Sequence, residues 1–402
     1  MFIGRTFSKE NEVLLDLLAN SLFDAGIAIS FSETELDQLF AEAKAQTVLA
    51  LAFDALPPEA REQKAEVYDQ WKFLAFSIIQ KNIRQVHSNA ELEKIFDTIN
   101  LPFCTIKGFA SGYYYGEKRH LRQMGDIDFI VPAETMEVSK ERLLEKGYEY
   151  IENSEKHDFH IAFQKDGELY EMHKGIISLL DGNEDIEKYI ADIFDKSVRK
   201  DFDTVAITIP DVFSHGLIML LHMKRHMLTG GGVGLRHLCD WATFVDSMEN
   251  TTWIQVFEEK LRKAHLWRFA QVLSKTASIY LKMDEKEWFS DIEAKLAEKL
   301  LADILLGGNF GKKSIKRYRE VVFLSKTGAR ENKMVSYSKG IVDKVYSWKP
   351  FYKDHKVVLP FGVIAYVFRI FFLTLFRKKK IDFFALQKSG RERDDLYKEL
   401  FR

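Results

Sequence analysis

At 402 residues, with 46% apolar and 29% charged residues, the chain has the length for two or three domains and the ordinary composition of a globular protein. Its two cysteines, Cys104 and Cys239, lie far apart and in no paired motif, which excludes a disulfide scaffold or a structural zinc site and suits a reducing cytosol. The net charge of −2 conceals an asymmetry: residues 311–402 carry 23 Lys and Arg against 9 Asp and Glu, leaving 35 against 51 in residues 1–310. Such a basic part meets something anionic, whether lipid headgroups, nucleic acid or the acidic body of the same chain.

The N-terminus places Glu10 and Glu12 where a signal peptide needs an apolar stretch, so no secretion signal is expected. Residues 8–98 read as helices: apolar positions from 12 to 23 form one stripe, and Pro57 and Pro58 open a new helix. A long helix is predicted from about residue 66 towards 86, and another over 90–99. A strand begins after Pro102, followed by a helix over 109–117. Then comes Asp126-Ile127-Asp128-Phe129-Ile130-Val131, a strand whose alternation puts Asp126, Asp128 and Ile130 on one face and Ile127, Phe129 and Val131 on the other. Two adjacent carboxylates in an apolar strand repel each other and resist burial, so they need a compensating cation. Mg²⁺, or Mn²⁺, held by carboxylates and substrate phosphates is the natural candidate, which points to metal-dependent phosphoryl or nucleotidyl transfer. A helix over 133–146 follows. Asp166-Gly167 then joins two alternating runs as a hairpin, with Leu169, Glu171 and His173 sharing a face. If this strand lies beside the Asp126 strand, Glu171 completes a three-carboxylate cluster that holds metal or takes the proton of an incoming hydroxyl.

From Ile186 the sequence returns to helices, interrupted by a β-like stretch over 204–209. After Pro210, His215, Met219, His222 and His226 line one helical stripe, either as a ligand-facing surface or as hydrogen-bonded histidines packed in the core. Their spacing is too long for one ion to be held by all three. Residues 229–234, Thr-Gly-Gly-Gly-Val-Gly, lack the Lys-Ser/Thr of a phosphate-binding loop and read as a flexible interhelical turn. Arg236 and Asp240 have the spacing of an i, i+4 pair. Near the C-terminus, residues 357–376 are almost long and apolar enough to span a bilayer and end in the basic run 377–380, but Arg369 and Pro360 argue against a span. A membrane-interfacial helix and a core helix are the two readings left.

This set resembles the uncharacterised nucleotidyltransferases, a large, mostly bacterial branch of the DNA polymerase β-like nucleotidyltransferase superfamily. The matching residues are Lys107-Gly108, the tyrosine-bearing helix with Tyr113, Tyr114 and Tyr115, Arg122, Asp126-Ile127-Asp128, His157 and Glu171-Met172-His173. Preceding helices, the helix with His222, the segment Leu235-Arg236-His237-Leu238-Cys239-Asp240 and the basic, Trp/Pro-containing C-terminal part are also similar. The wider superfamily usually has Gly-Ser at the turn before the Asp-x-Asp strand. Here Lys107-Gly108 stands there, with Ser111-Gly112 one helical turn later, as in the Lys-Gly branch.

The resemblance implies an α+β protein: a nucleotidyltransferase-type mixed sheet over 101–175 embedded in mostly helical N- and C-terminal regions. The expected division is a helical region over 1–100, the core, a helical domain over 176–330 closing the cleft, and a basic, aromatic-rich region over 331–402. It implies transfer of a nucleoside monophosphate from a nucleoside triphosphate to a hydroxyl acceptor. Asp126, Asp128 and Glu171 would be catalytic and metal-binding, and Lys107, Gly108, Arg122, His173 and His222 would meet the nucleotide and its phosphates. Lys107 and Arg122 suit phosphate charge, and His173 suits orienting Glu171 or the metal shell. Two other readings stay open: a noncatalytic nucleotide- or sugar-binding module in cell-surface polysaccharide assembly, and a toxin-like enzyme acting on RNA or protein. For RNA, Tyr318, Tyr337, Tyr346 and Trp348 are available to stack bases. The expected location is cytoplasmic, with peripheral contact to anionic membrane open.

Overall fold

A computed structural model describes residues 7–30, 32–152, 160–175, 183–311, 313, 315–324, 342, 345–346, 348–349, 351–376 and 383–402. His157, Tyr337, the side chain of Tyr318 and the basic run 377–380 lie outside the described residues. The architecture is α+β. Helices α1 (Lys9–Phe23), α2 (Glu33–Ala45), α3 (Leu49–Asp54) and α4 (Ala60–Gln63) lead into α5, a single helix of 35 residues, Ala65–Ile99. Two helices were expected over α5. The polar residues at 88 and 89 do not break it, because the Asn89 amide donates to the Gln85 carbonyl 2.8 Å away and accepts from Thr105.

A five-stranded mixed sheet follows, in the order β1 (Cys104–Thr105), β2 (Ile127–Ile130), β5 (Glu168–His173), β4 (His160–Lys165), β3 (Glu149–Tyr150). Strands β2 and β5 run parallel; the other neighbours are antiparallel. Between β1 and β2 lie α6 (Lys107–Gly112) and a 3₁₀ stretch, Tyr113–Leu121, interrupted at Gly116. Helix α7 (Met136–Glu145) connects β2 to β3. One sheet face is apolar: Ile127, Phe129, Val131, Phe163, Tyr170 and Met172 pack on Leu92, Ile95 and Phe96 of α5 and Leu143 of α7. Water is removed from that face, and this burial fixes the strand register, since a one-residue slip would expose it.

Helices α8 (Glu184–Ala191) and α9 (Ile193–Lys196) precede a hairpin of β6 (Val198–Phe202) and β7 (Val205–Ile209). Only β7 was expected. Arg199, Lys200 and Asp201 hide the first strand in the sequence, and Arg199 spends its charge on Glu93 and Asp97 of α5. Helices α10 (Val212–Thr229) and α11 (Leu235–Asp246) then join the main helical core. That core also takes in α1, α3, the helices Trp267–Leu281 and Ala294–Gly307, and Leu396, Tyr397, Leu400 and Phe401 from the terminal helix Phe383–Leu400. In the helix Leu359–Phe376, Phe361, Ile364 and Phe368 are exposed, and no described helix is long and apolar enough to cross a membrane.

Candidate active site

The site begins with pairing. Asp128 lies opposite Glu171 in the parallel β2–β5 pair, so their side chains leave the sheet on the same face, the one turned away from the apolar core. Asp126 sits one residue before β2. Carboxylate oxygens of Asp126, Asp128 and Glu171 lie within 4.8 Å of one another. The turn before Asp126 is held from behind by a polar stripe on α5, which the sequence reading missed. The Asn82 amide donates to the His120 and Arg122 carbonyls at 2.7 Å each, and Lys81 and Gln85 both donate to the Gly125 carbonyl at 2.8 Å. Asn82, Gln85 and Asn89 are buried at helical spacing, a pattern that only loop anchoring makes affordable.

Around the carboxylates stand three basic groups. Lys107 opens α6 with a left-handed φ of 54°, a conformation that costs about 1 kcal/mol outside glycine. Its ammonium is 2.5 Å from Asp128 Oδ1 and 4.0 Å from Glu171 Oε2. His173 Nε2 is 2.8 Å from the same Asp128 oxygen and 3.5 Å from Glu171. His160, opposite His173 in the hairpin, is 3.6 Å from Glu171 Oε1. The sequence reading passed over His160. Burial opposes the charge on Asp128, yet Lys107 and His173 hold its carboxyl well below the usual range. Asp126 goes the other way: burial first, then the neighbouring charges of Asp128 and Glu171, push it up. Three carboxylates so disposed fit a hard divalent cation, and Glu171 with His160 and His173 forms a second, nitrogen-containing triad whose ligand atoms also lie within 4.8 Å. His173 Nδ1 is buried without a partner.

Arg122 and Gly108 stand just behind this cluster. Arg122 donates from Nε and Nη2 to the two oxygens of Asp240, 2.7 Å each, and the Tyr115 hydroxyl donates to Asp240 at 2.7 Å. The expected Arg236–Asp240 pair is therefore not formed: Asp240 is already satisfied by a better-oriented, buried fork. Gly108 permits α6 to approach this pair, since a Cβ there would come within 3.0 Å of Arg122 Nη1.

A cavity of about 760 Å³ opens from the carboxylates to the wall formed by α10, α11 and residues 309–310. His215, Met219, His222 and His226 all line it, so the stripe seen in the sequence faces the cavity. Burial holds His215 down at about 3 and His226 at about 4, and lowers His222 and His237 well below the ordinary histidine value. These rings are neutral at pH 7, and His222 and His226 share a hydrogen bond between Nε2 atoms 2.9 Å apart. The glycine loop after α10 is tightly packed, not a free turn: a Cβ on Gly231 would fall 2.2 Å from the Gly311 Cα.

The profile of the family described as uncharacterised nucleotidyltransferase matches residues 32–282, more than half of the chain. The chain belongs to this nucleotidyltransferase family. Comparison with curated proteins and with solved structures finds no match. The matched span runs from the start of α2 to the end of the Trp267–Leu281 helix. The five-stranded sheet, the α5 anchors, the Arg122–Asp240 pair and both histidine-bearing elements lie inside the nucleotidyltransferase region. Asn309 and Phe310, which complete the cavity wall, lie outside it.

Proposed function

We propose that the protein transfers a nucleoside monophosphate from a nucleoside triphosphate to the hydroxyl of an acceptor. The observation that carries this reading is the convergence of Asp126, Asp128 and Glu171 at one mouth of a large cavity, in a chain of the nucleotidyltransferase family. Asp126, Asp128 and Glu171 would hold Mg²⁺ or Mn²⁺. When bound, such an ion neutralises triphosphate charge and makes the α-phosphorus a better electrophile. Glu171, flanked by two histidines, takes the proton of the acceptor hydroxyl. The hydroxyl oxygen bonds to the α-phosphorus, the bond from that phosphorus to the bridging oxygen breaks, and pyrophosphate leaves.

Lys107 supports this chemistry by keeping Asp128 ionised, and its ammonium is placed to turn to phosphate as the ligand enters. His173 orients the same carboxylate, and Gly108 with Arg122 keeps α6 against the cluster. His222 lines the nucleotide side of the cavity. A cytoplasmic setting suits a nucleoside triphosphate substrate. The exposed Phe361, Ile364 and Phe368, in a region rich in Lys and Arg, support a peripheral contact with anionic membrane.

The test is incubation of the pure protein with each labelled nucleoside triphosphate, Mg²⁺ or Mn²⁺ and a cell extract. Label should pass to an acceptor with release of pyrophosphate, and the Asp126→Asn, Asp128→Asn protein should transfer none. Transfer at equal rate by that variant would overturn the assignment.

A further inference from the structure

The wall facing the carboxylates carries a cation of unusual standing. Arg236, at the start of α11, points its guanidinium into the cavity, and no described carboxylate lies within ion-pair distance of it. The nearest candidate by sequence, Asp240, is occupied by Arg122 and Tyr115. What Arg236 has instead are neutral acceptors at long range: Nη1 donates to the Gln123 carbonyl at 3.2 Å and Nη2 to Asn309 Oδ1 at 3.5 Å, while Nε is buried with no partner. Burial presses its pKa down to about 10, so it remains charged at pH 7. Only the more distant charges of Asp240 and Asp126 favour this desolvated cation, which leaves it incompletely compensated, and groups of this kind cluster where a ligand supplies charge.

The surroundings are built to hold it there. The guanidinium carbon lies 5.6 Å from the Phe310 ring centroid. Phe310 itself has a left-handed φ of 55°, strain of about 1 to 3 kcal/mol that persists only when neighbours over-determine it. They do so through the Gly231–Gly311 crossing, where neither residue has room for a side chain, and through ring contacts to His226 at 4.4 Å and His237 at 5.1 Å.

We propose that Arg236, flanked by His222 and His226, is a binding site for a phosphate group of the ligand on the wall opposite the carboxylates. A guanidinium presents paired N–H donors that match two phosphate oxygens, and the neutral His222–His226 pair, left with one N–H once its rings hydrogen-bond each other, adds a donor to a third. The phosphate has two sources: the tail of the nucleoside triphosphate or a phosphate carried by the acceptor. The proposal rests on the nucleotide-transfer reading only for the identity of those sources.

The experiment separates the two claims by removing the metal. Inorganic phosphate and tripolyphosphate are titrated calorimetrically in chelator-treated buffer against the wild-type protein, Arg236→Gln, and the Asp126→Asn, Asp128→Asn protein. Tripolyphosphate should bind the wild type, and bind the double aspartate variant at least as tightly because two repelling carboxylates are gone, while Arg236→Gln should bind it about 10- to 100-fold more weakly than wild type, the range for charge-assisted hydrogen bonds. This holds even if no nucleotidyl transfer is ever observed. A nucleoside triphosphate titrated in parallel assigns the source: a matching loss in Arg236→Gln places the triphosphate tail there, and an unchanged affinity assigns the site to the acceptor's phosphate. If Arg236→Gln does not fold, Arg236→Lys keeps the charge, loses the fork and is read in the same titration. Tripolyphosphate affinity unchanged in the folded Arg236 variant, or absent in the wild type, overturns the proposal.

Discussion

Arg122 and Asp240, 118 positions apart in the chain, meet in a two-bond fork with both groups buried. The pair ties the turn before Asp126 to α11, so the carboxylate cluster and the cavity's far wall share one fastening. Asp240→Ala would leave the Arg122 guanidinium buried and uncompensated, at a cost of about 3 to 5 kcal/mol. Urea denaturation should show that loss. Arg122→Ala should lower stability comparably, with triphosphate affinity falling only through misplacement of Asp126. A variant of Arg122 that loses triphosphate affinity at full stability would instead mean direct contact with phosphate.

Asp126 gives a pH-dependent prediction. Its folded pKa is raised, so in the metal-free protein its ionised form is disfavoured: the stability it lends is present below the ordinary carboxylate pKa of about 4 and lost as pH rises through the folded value. Asp126→Asn should therefore stabilise the metal-free protein at pH 7, by about 1 kcal/mol after allowance for solvent screening, with the gain vanishing in acid. Added Mn²⁺ should raise the melting temperature of the wild type and leave the Asp126→Asn, Asp128→Asn protein unmoved. Mn²⁺ affinity of the wild type should fall as pH drops through the range where Asp126 takes up its proton.

Lys107 should act through charge. Lys107→Ala is expected to weaken triphosphate binding by about 1.5 to 3 kcal/mol, the range for hydrogen bonds to charged groups. Nucleoside binding should change far less. Equal losses for both ligands would indicate a distorted α6 and not a lost phosphate contact.

The exposed apolar residues of the Leu359–Phe376 helix are tested with vesicles. Phe361, Ile364 and Phe368 are 71%, 54% and 57% exposed, so replacing all three with Asp should leave the melting temperature within about 1 °C of wild type. The wild type should co-sediment with phosphatidylserine vesicles at low salt and be released at high salt. The triple variant should stay in the supernatant. Absence of wild-type co-sedimentation at low salt would remove the membrane contact.

Much of the site was legible because it depends on local periodicity. The Asp-x-Asp alternation placed Asp128 on the polar face, and the Asp166-Gly167 turn, with both residues at positive φ, put Glu171 and His173 on the facing strand. The same two-residue turn also fixes which residues oppose one another, so the His160–His173 pair was available to a stricter reading of the hairpin. Other features depend on tertiary competition. Arg236 has the right helical spacing for Asp240 but loses it to Arg122, which arrives from a distant turn with a better-oriented fork. The unbroken α5 was obscured because Asn82, Gln85 and Asn89 read as solvent-facing residues, whereas each is hydrogen-bonded to a loop or strand. The Val198–Phe202 strand was hidden by charges that only its docking on α5 compensates.

The terminal helix Phe383–Leu400 has a consequence for synthesis. Arg393 reaches from it to the Met227 carbonyl of α10 at 3.3 Å, while Leu396, Tyr397 and Leu400 enter the core that α10 and α11 share. The helix bearing His215, His222 and His226 therefore lacks part of its backing until residue 401 has cleared the ribosome. The carboxylate-bearing strands, complete by residue 173, are made well over a hundred residues before the helix that backs the wall facing them.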